Sequence, residues 1–193
     1  YMFRGCSTLT SAPELPATTM EQGCYFGIFS ECTGLTSAPK LPANVLANNC
    51  YGWMFKGCSA LTSAPELPAT EMGSYCYNGM FANCTKLTSA PELPAKRLES
   101  NCYNCMFEGC TSLTSAPELP AKELIRNCYQ LMFKDCSKLR YVKALFTTSP
   151  SEETTKDWLS GVAASGTFVK SKNATWNVTG VHSIPKGWKI ETQ

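Results

Sequence analysis

The sequence predicts a right-handed α/β solenoid, with short parallel strands on one face, short helical segments on the other, and a small C-terminal α+β cap. Three observations predict it. A 26-residue unit, LTSAPELPA followed by a variable stretch and then CYxxMFxGC, begins in full at Leu9, Leu35, Leu61, Leu87 and Leu113. A sixth, degraded copy begins at Leu139, and beyond residue 148 the pattern gives way to a segment carrying Trp158, Trp176 and Trp188. The apolar positions recur as rows in phase, and repetition at such a period marks units that bury their apolar side chains only by stacking on neighbours.

In the unit Leu35 to Ala60, Leu35, Ala38 and Leu41 are the apolar positions of an extended segment. Pro39 and Pro42 cannot donate to a ladder, so a strand of about three to five residues is expected. Leu46 follows, matched by Met20, Met72, Leu98 and Leu124. Cys50, Tyr51, Met54, Phe55 and Cys58 then stand at offsets 0, 1, 4, 5 and 8, which is the spacing of one face of a two-turn helix. Gly or Asn with Cys, then Ser or Thr, turns the chain toward the next strand. Strands about 4.8 Å apart make five coils a block roughly 25 Å long.

Residues 1–148 form the predicted solenoid and residues 149–193 its cap. Ser149-Pro150-Ser151-Glu152 reads as a capping-box start with proline at the first helical position. Trp158, Leu159, Val162 and Ala163 share one face of the helix it opens, and Gly166 ends it. Gly166–Val169 and Gly187–Ile190 read as short strands, with Asn173–Trp176 in a loop between them. The three tryptophans would suit a sugar-stacking platform, but such aromatics more often fill a small module's core, and a core is the expectation.

Twelve cysteines normally signal disulfides or metal sites. Here Cys6, Cys32, Cys58, Cys84, Cys110 and Cys136 form one row, and Cys24, Cys50, Cys76, Cys102 and Cys128 another. Stacked side chains with parallel Cβ vectors make poor disulfides, so unpaired buried thiols are expected. Cys105 lies outside both rows. Cys102 and Cys105 have no second pair to complete four zinc ligands, and no βαβ pattern supports a redox role. Glu14, Glu66, Glu92 and Glu118, interrupted by Lys40, read as a solvated ladder. Calcium repeats show closely spaced Asp and Gly, whereas Asp135 and Asp157 are the chain's two aspartates.

The sole histidine, His182, lies in a predicted loop, and neither aspartate has an evident partner. Neither a phosphate-binding glycine loop nor a nucleophile elbow is present. No catalytic residue, cofactor or metal is therefore expected, and the chain does not read as an enzyme. A net charge of +2 argues against nucleic acid as a main partner. No apolar run approaches the roughly 20 residues that span a bilayer. Asn83, Asn173 and Asn177 stand in sequons that matter only in a eukaryotic secretory pathway.

Phe29-Ser-Glu-Cys32-Thr-Gly-Leu35 and Phe107-Glu-Gly-Cys110-Thr-Ser-Leu113, each followed by Ala and Leu-Pro, resemble the Treponema pallidum-type (BspA-like) leucine-rich repeat over residues 1–148. The period is longer than that family's usual one, and Glu or Lys stands at its second β-branched strand position. The resemblance implies a leucine-rich-repeat solenoid in a secreted or cell-surface protein of the gut Bacteroidales type, tethered as an outer-membrane lipoprotein. It also implies a role in adhesion or binding of a protein or glycan. Tyr1 aligns with Gly27 in mid-unit, so the chain reads as part of a longer one whose export signal lies elsewhere. The candidate partner face comprises Thr36, Ser37, Lys40, Thr62, Ser63, Glu66, Thr88, Ser89, Glu92, Thr114, Ser115 and Glu118. The alternative is a structural spacer with no ligand of its own, which near-identical copies also suit.

Overall fold

In the computed structural model, which describes residues 2–193, the repeated units stack as successive coils. The apolar rows become continuous columns through the interior. Leu35, Leu61, Leu87, Leu113 and Leu139 are fully buried, as are Phe29, Phe55, Phe81, Phe107 and Phe133. The phenylalanines form one column from Phe3 to Phe133, with ring centroids 5.5–5.8 Å apart and planes within 10° of parallel. Tyr25, Tyr51, Tyr77, Tyr103 and Tyr129 form a second column at 5.8–6.0 Å. Each such pair adds about 0.5–1.5 kcal/mol beyond area burial. The same residue in every coil is therefore what lets like stack on like.

The predicted helical segments do not form. Residues 49–58 are instead a run of overlapping β-turns. The even-numbered amides bond three residues back, as in Gly52 N–H to Asn49 O (3.3 Å), Met54 to Tyr51 O (3.2 Å) and Cys58 to Phe55 O (3.0 Å). The odd-numbered amides bond into the next coil: Tyr51 to Cys76 O (3.0 Å), Trp53 to Asn78 O (2.8 Å), Phe55 to Met80 O (2.9 Å). Every fourth residue, here Asn49, Trp53 and Gly57, has a left-handed φ of 58°, 55° and 73°, which no α-helix accommodates. The apolar offsets 0, 1, 4, 5 and 8 fit a period of four as well as one of 3.6. At the eighth residue the two differ by only about 80° of rotation. The choice falls to the polar groups: in stacked turns every backbone donor on this side finds a partner, half of them in the neighbouring coil.

On the opposite side, extended pairing is sparse where prolines are dense. Ser11 bridges Ser37 and Ser63 bridges Ser89 in parallel, as isolated contacts. Continuous pairing begins where the sixth copy loses its prolines. There β1 (Ser115–Leu119), β2 (Tyr141–Ala144), β3 (Thr167–Lys170) and β4 (Lys189–Thr192) form a parallel sheet in the order β1-β2-β3-β4. Register shifts between Ser115 and Glu118, around Pro117, which has no amide to donate.

The ladder runs on past residue 148. Tyr129 N–H bonds Thr154 O (3.1 Å) and Phe133 N–H bonds Trp158 O (2.9 Å), and Tyr141 pairs with Thr167 26 residues on. Thr167 then pairs with Lys189, 22 residues on, so the final coil is shorter. The helix predicted from Ser149 shrinks to one turn, α1 (Glu152–Thr155), with Ser151 as its N-cap. Its Ser151 N–H donates to Thr154 Oγ1 at 3.1 Å. Trp158 and Leu159 lie beyond it in the turn ladder, where Asp157 and Gly161 have φ of 51° and 75°. The two predicted strands form one to two residues later than expected.

Trp158, Trp176 and Trp188 are at most 6% exposed and make no surface platform. Trp158 Nε1 donates to Ser183 O (2.9 Å) and Trp188 Nε1 to Ala163 O (2.8 Å). The buried Lys170 ammonium donates to Trp176 O (2.6 Å) and Ala174 O (3.3 Å).

Candidate functional site

The strand side turns the polar residues of each unit outward. Within each unit the leucines at both ends of LTSAPEL point inward, and all twelve residues of the candidate face, from Thr36 to Glu118, are exposed. Three columns result, one of Thr, one of Ser, and one in which Glu66, Glu92 and Glu118 follow Lys40. The charged position thus faces solvent. The hydroxyls also hold the coils in register: Thr36 Oγ1 donates to Thr10 O (3.1 Å) and Thr88 Oγ1 to Thr62 O (3.2 Å). Glu118 is engaged by Lys143 at 2.7 Å.

Beside these columns lie three equivalent grooves between successive coils. Pro39 and Pro42 face Pro65 and Pro68 across a space of about 410 Å³. Pro65 and Pro68 face Pro91 and Pro94 across about 520 Å³, and Pro91 and Pro94 face Pro117 and Pro120 across about 460 Å³. A leucine and one or two carboxylates or Lys40 complete each wall. The prolines were read from the sequence only as strand terminators. Their invariance among the copies, shared with Thr and Ser, is the signal that also marks them as part of the face. A row of shallow apolar troughs rimmed by hydroxyls and carboxylates can hold an extended partner by repeated weak contacts.

The thiols are all free, and the nine buried ones serve packing. In the first row each from Cys32 onward donates to the carbonyl of the phenylalanine one coil back: Cys32 to Phe3 O, Cys58 to Phe29 O, Cys84 to Phe55 O, Cys110 to Phe81 O and Cys136 to Phe107 O, at 2.9–3.2 Å. Burial pushes Cys58 up to about 12 and Cys128 up to about 11. Cys105 is half-buried, donates to Asn104 Oδ1 (2.8 Å), and is pushed up to about 12 by burial and by the Glu108 carboxylate. These three raised thiols are not poised as thiolate nucleophiles. At the two N-terminal-most positions, Cys6 and Cys24 are exposed, contrary to the expectation for their rows. They lie in the first coils of the described residues, where one neighbouring coil rather than two packs on them.

His182 and Asp157, unpartnered in the sequence reading, meet in the structure. The Asp157 N–H donates to His182 Nδ1 at 3.2 Å, and its carboxylate lies 3.7 Å from the same nitrogen. The pair ties the last coil to the ladder, since Thr155 Oγ1 also donates to His182 O (2.6 Å). Among the described residues no three His, Cys, Asp or Glu side chains converge to hold a metal ion, and no helix is long and apolar enough to cross a membrane. The chain matches no protein-family model, no curated protein and no solved structure.

Proposed function

We propose that this chain is a non-enzymatic binding or adhesion module of a bacterial cell-surface protein, built as a leucine-rich-repeat solenoid of the Treponema pallidum (BspA-like) type. It recognises a protein or glycan through the strand-side face. The observation that carries this reading is the outward presentation, coil after coil, of Thr, Ser and Glu or Lys beside three equivalent proline-walled grooves. An extended ligand gains affinity there by engaging several coils at once, the usual economy of a solenoid surface.

The test is retention of protein-coated beads on surfaces carrying matrix proteins or glycoproteins. Alanine at Thr62, Ser63 and Glu66, together with Thr88, Ser89 and Glu92, should lower retention at least about tenfold, the equivalent of roughly 1.4 kcal/mol, with Tm lower by only about 2–4 °C for the lost Thr88 hydrogen bond. Undiminished retention removes the strand side from the reading.

The near-identity of the copies favours a second reading, a spacer that holds another domain away from the cell. Deleting residues 61–112, two whole units, separates them. A spacer shortens and keeps its function, whereas a binding face loses affinity with each coil removed.

A further inference from the structure

On the turn side, the outward positions of the period-four ladder are where the copies stop resembling one another. Two left-handed positions there carry bulky aromatics: Trp53, φ 55°, and Tyr75, φ 59°. In the coils on either side the equivalent positions hold Gly27 and Gly79 for the first and Asn49 and Asn101 for the second, all at φ of 56–58°, while further along the first column Cys105 and Leu131 stand at 54° and 56°. A large β-substituted residue is strained in this conformation and persists where something requires it. The fold does not require it. Gly27, Trp53 and Gly79 donate the same inter-coil bond, at 2.8, 2.8 and 2.7 Å, so glycine builds the ladder equally well. Burial is a poor reason too, since Trp53 and Tyr75 are 40% and 42% exposed.

The surroundings are arranged around the indole. Trp53 lies across Gly79, where a β-carbon would sit 2.5 Å from its Cδ1. It packs against the half-buried Phe26 ring, with centroids 5.2 Å apart and planes tilted by 38°. The Lys56 ammonium stands 5.1 Å from the indole centroid. Asn78, next to Gly79, is half-buried.

The geometry points to a carbohydrate-binding platform on the turn side of the solenoid, taking a neutral oligosaccharide. The apolar C–H face of a pyranose stacks on the exposed rings of Trp53 and Tyr75, and Asn49, Asn78 and Lys56 supply donors and acceptors for its hydroxyls. A single lysine gives no basic patch for a nucleic acid. An apolar peptide segment would need a continuous apolar groove, which the interleaved asparagines interrupt. The site is separate from the strand-side face and stands or falls independently of it.

Affinity electrophoresis of the full chain through gels containing a β-glucan, a galactomannan or an O-glycosylated mucin tests it. Wild-type protein should be retarded by at least one of the three. Trp53→Gly installs the residue both neighbouring coils use. It should melt within about 4 °C of wild type yet bind at least about tenfold more weakly. Tyr75→Asn should behave alike, and the Thr62, Ser63 and Glu66 alanine variant should be retarded normally. The inference is overturned by any of four results: no retardation of wild type in any gel, equal retardation of Trp53→Gly, mucin binding that survives deglycosylation, or a Trp53→Gly melting temperature lower by more than about 10 °C.

Discussion

A thiol in each coil donates to a carbonyl of the coil before it, and this shows how much a single residue type contributes when it repeats. Cys58, Cys84 and Cys110 are fully buried, small enough not to disturb the phenylalanine column, and hydrogen-bonded. Serine there would bring a stronger donor at a larger desolvation cost, and alanine would leave a void. The protonated form is favoured by burial. Cys50 and Cys58 rise to about 12 and Cys128 to about 11 from an ordinary 9.0. Because the folded values lie above the unfolded one, these thiols contribute stability that is complete below pH 9. It is lost as pH rises, since the unfolded chain releases protons that the folded one retains. Each contributes a slope of about 1.4 kcal/mol per pH unit in that window. Urea midpoints should therefore be constant from pH 7 to 8.5 and fall steeply by pH 10.5. Equal midpoints at pH 8 and 10.5 would show that the thiols ionise freely in the fold.

At the scale of the element, the turn ladder replaces a helix, and the two respond oppositely to one substitution. Gly27, at the position of Trp53 in the middle of the predicted helical segment, has φ 57°. Alanine there should cost about 1–2 kcal/mol, the penalty of the left-handed region, lowering Tm by about 2–8 °C. In a helix interior the same change would stabilise by about 1 kcal/mol. Thermal melts of Gly27→Ala and wild type decide by sign alone. The sequence made the apolar rows and their inward direction legible, because stacking fixes both. It left the element type open. Cys50, Tyr51, Met54, Phe55 and Cys58 satisfy two periods, and the deciding term is a hydrogen bond to a residue 25 positions away, such as Tyr51 to Cys76, which local spacing does not display. Asn, Gly or Asp at two of the three left-handed positions of each coil, as at Asn127 and Asp135 with φ of 53° and 60°, is the available signal.

For the whole molecule, stability resides in interfaces between coils, so the chain should tolerate loss of whole units and not of parts. Removing residues 61–86 sets Leu87 in the place of Leu61 and preserves every column. Removing residues 61–73 opposes Tyr to strand residues and breaks the phenylalanine and tyrosine stacks together. The first deletion should melt cooperatively near the wild-type temperature. The second should lose cooperative melting, and equal behaviour of the two would contradict a stack of equivalent coils. The candidate site was legible to a similar degree. The exposed columns of Thr, Ser and Glu are the polar positions of the repeated strand segment, while the grooves needed the prolines of two coils brought face to face. The three tryptophans of the last coils proved to be core. Trp53, at one of the two unspecified positions of CYxxMFxGC, is surface.

The central claim is that the turn side is joined coil to coil by backbone hydrogen bonds. NMR couplings transmitted across hydrogen bonds measure this directly in labelled protein. The amides of Tyr51, Tyr77 and Tyr103 should couple to the carbonyls of Cys76, Cys102 and Cys128, to which they lie 3.0–3.1 Å distant. Couplings from these amides to carbonyls four residues earlier in their own coils would contradict the account and restore the helix.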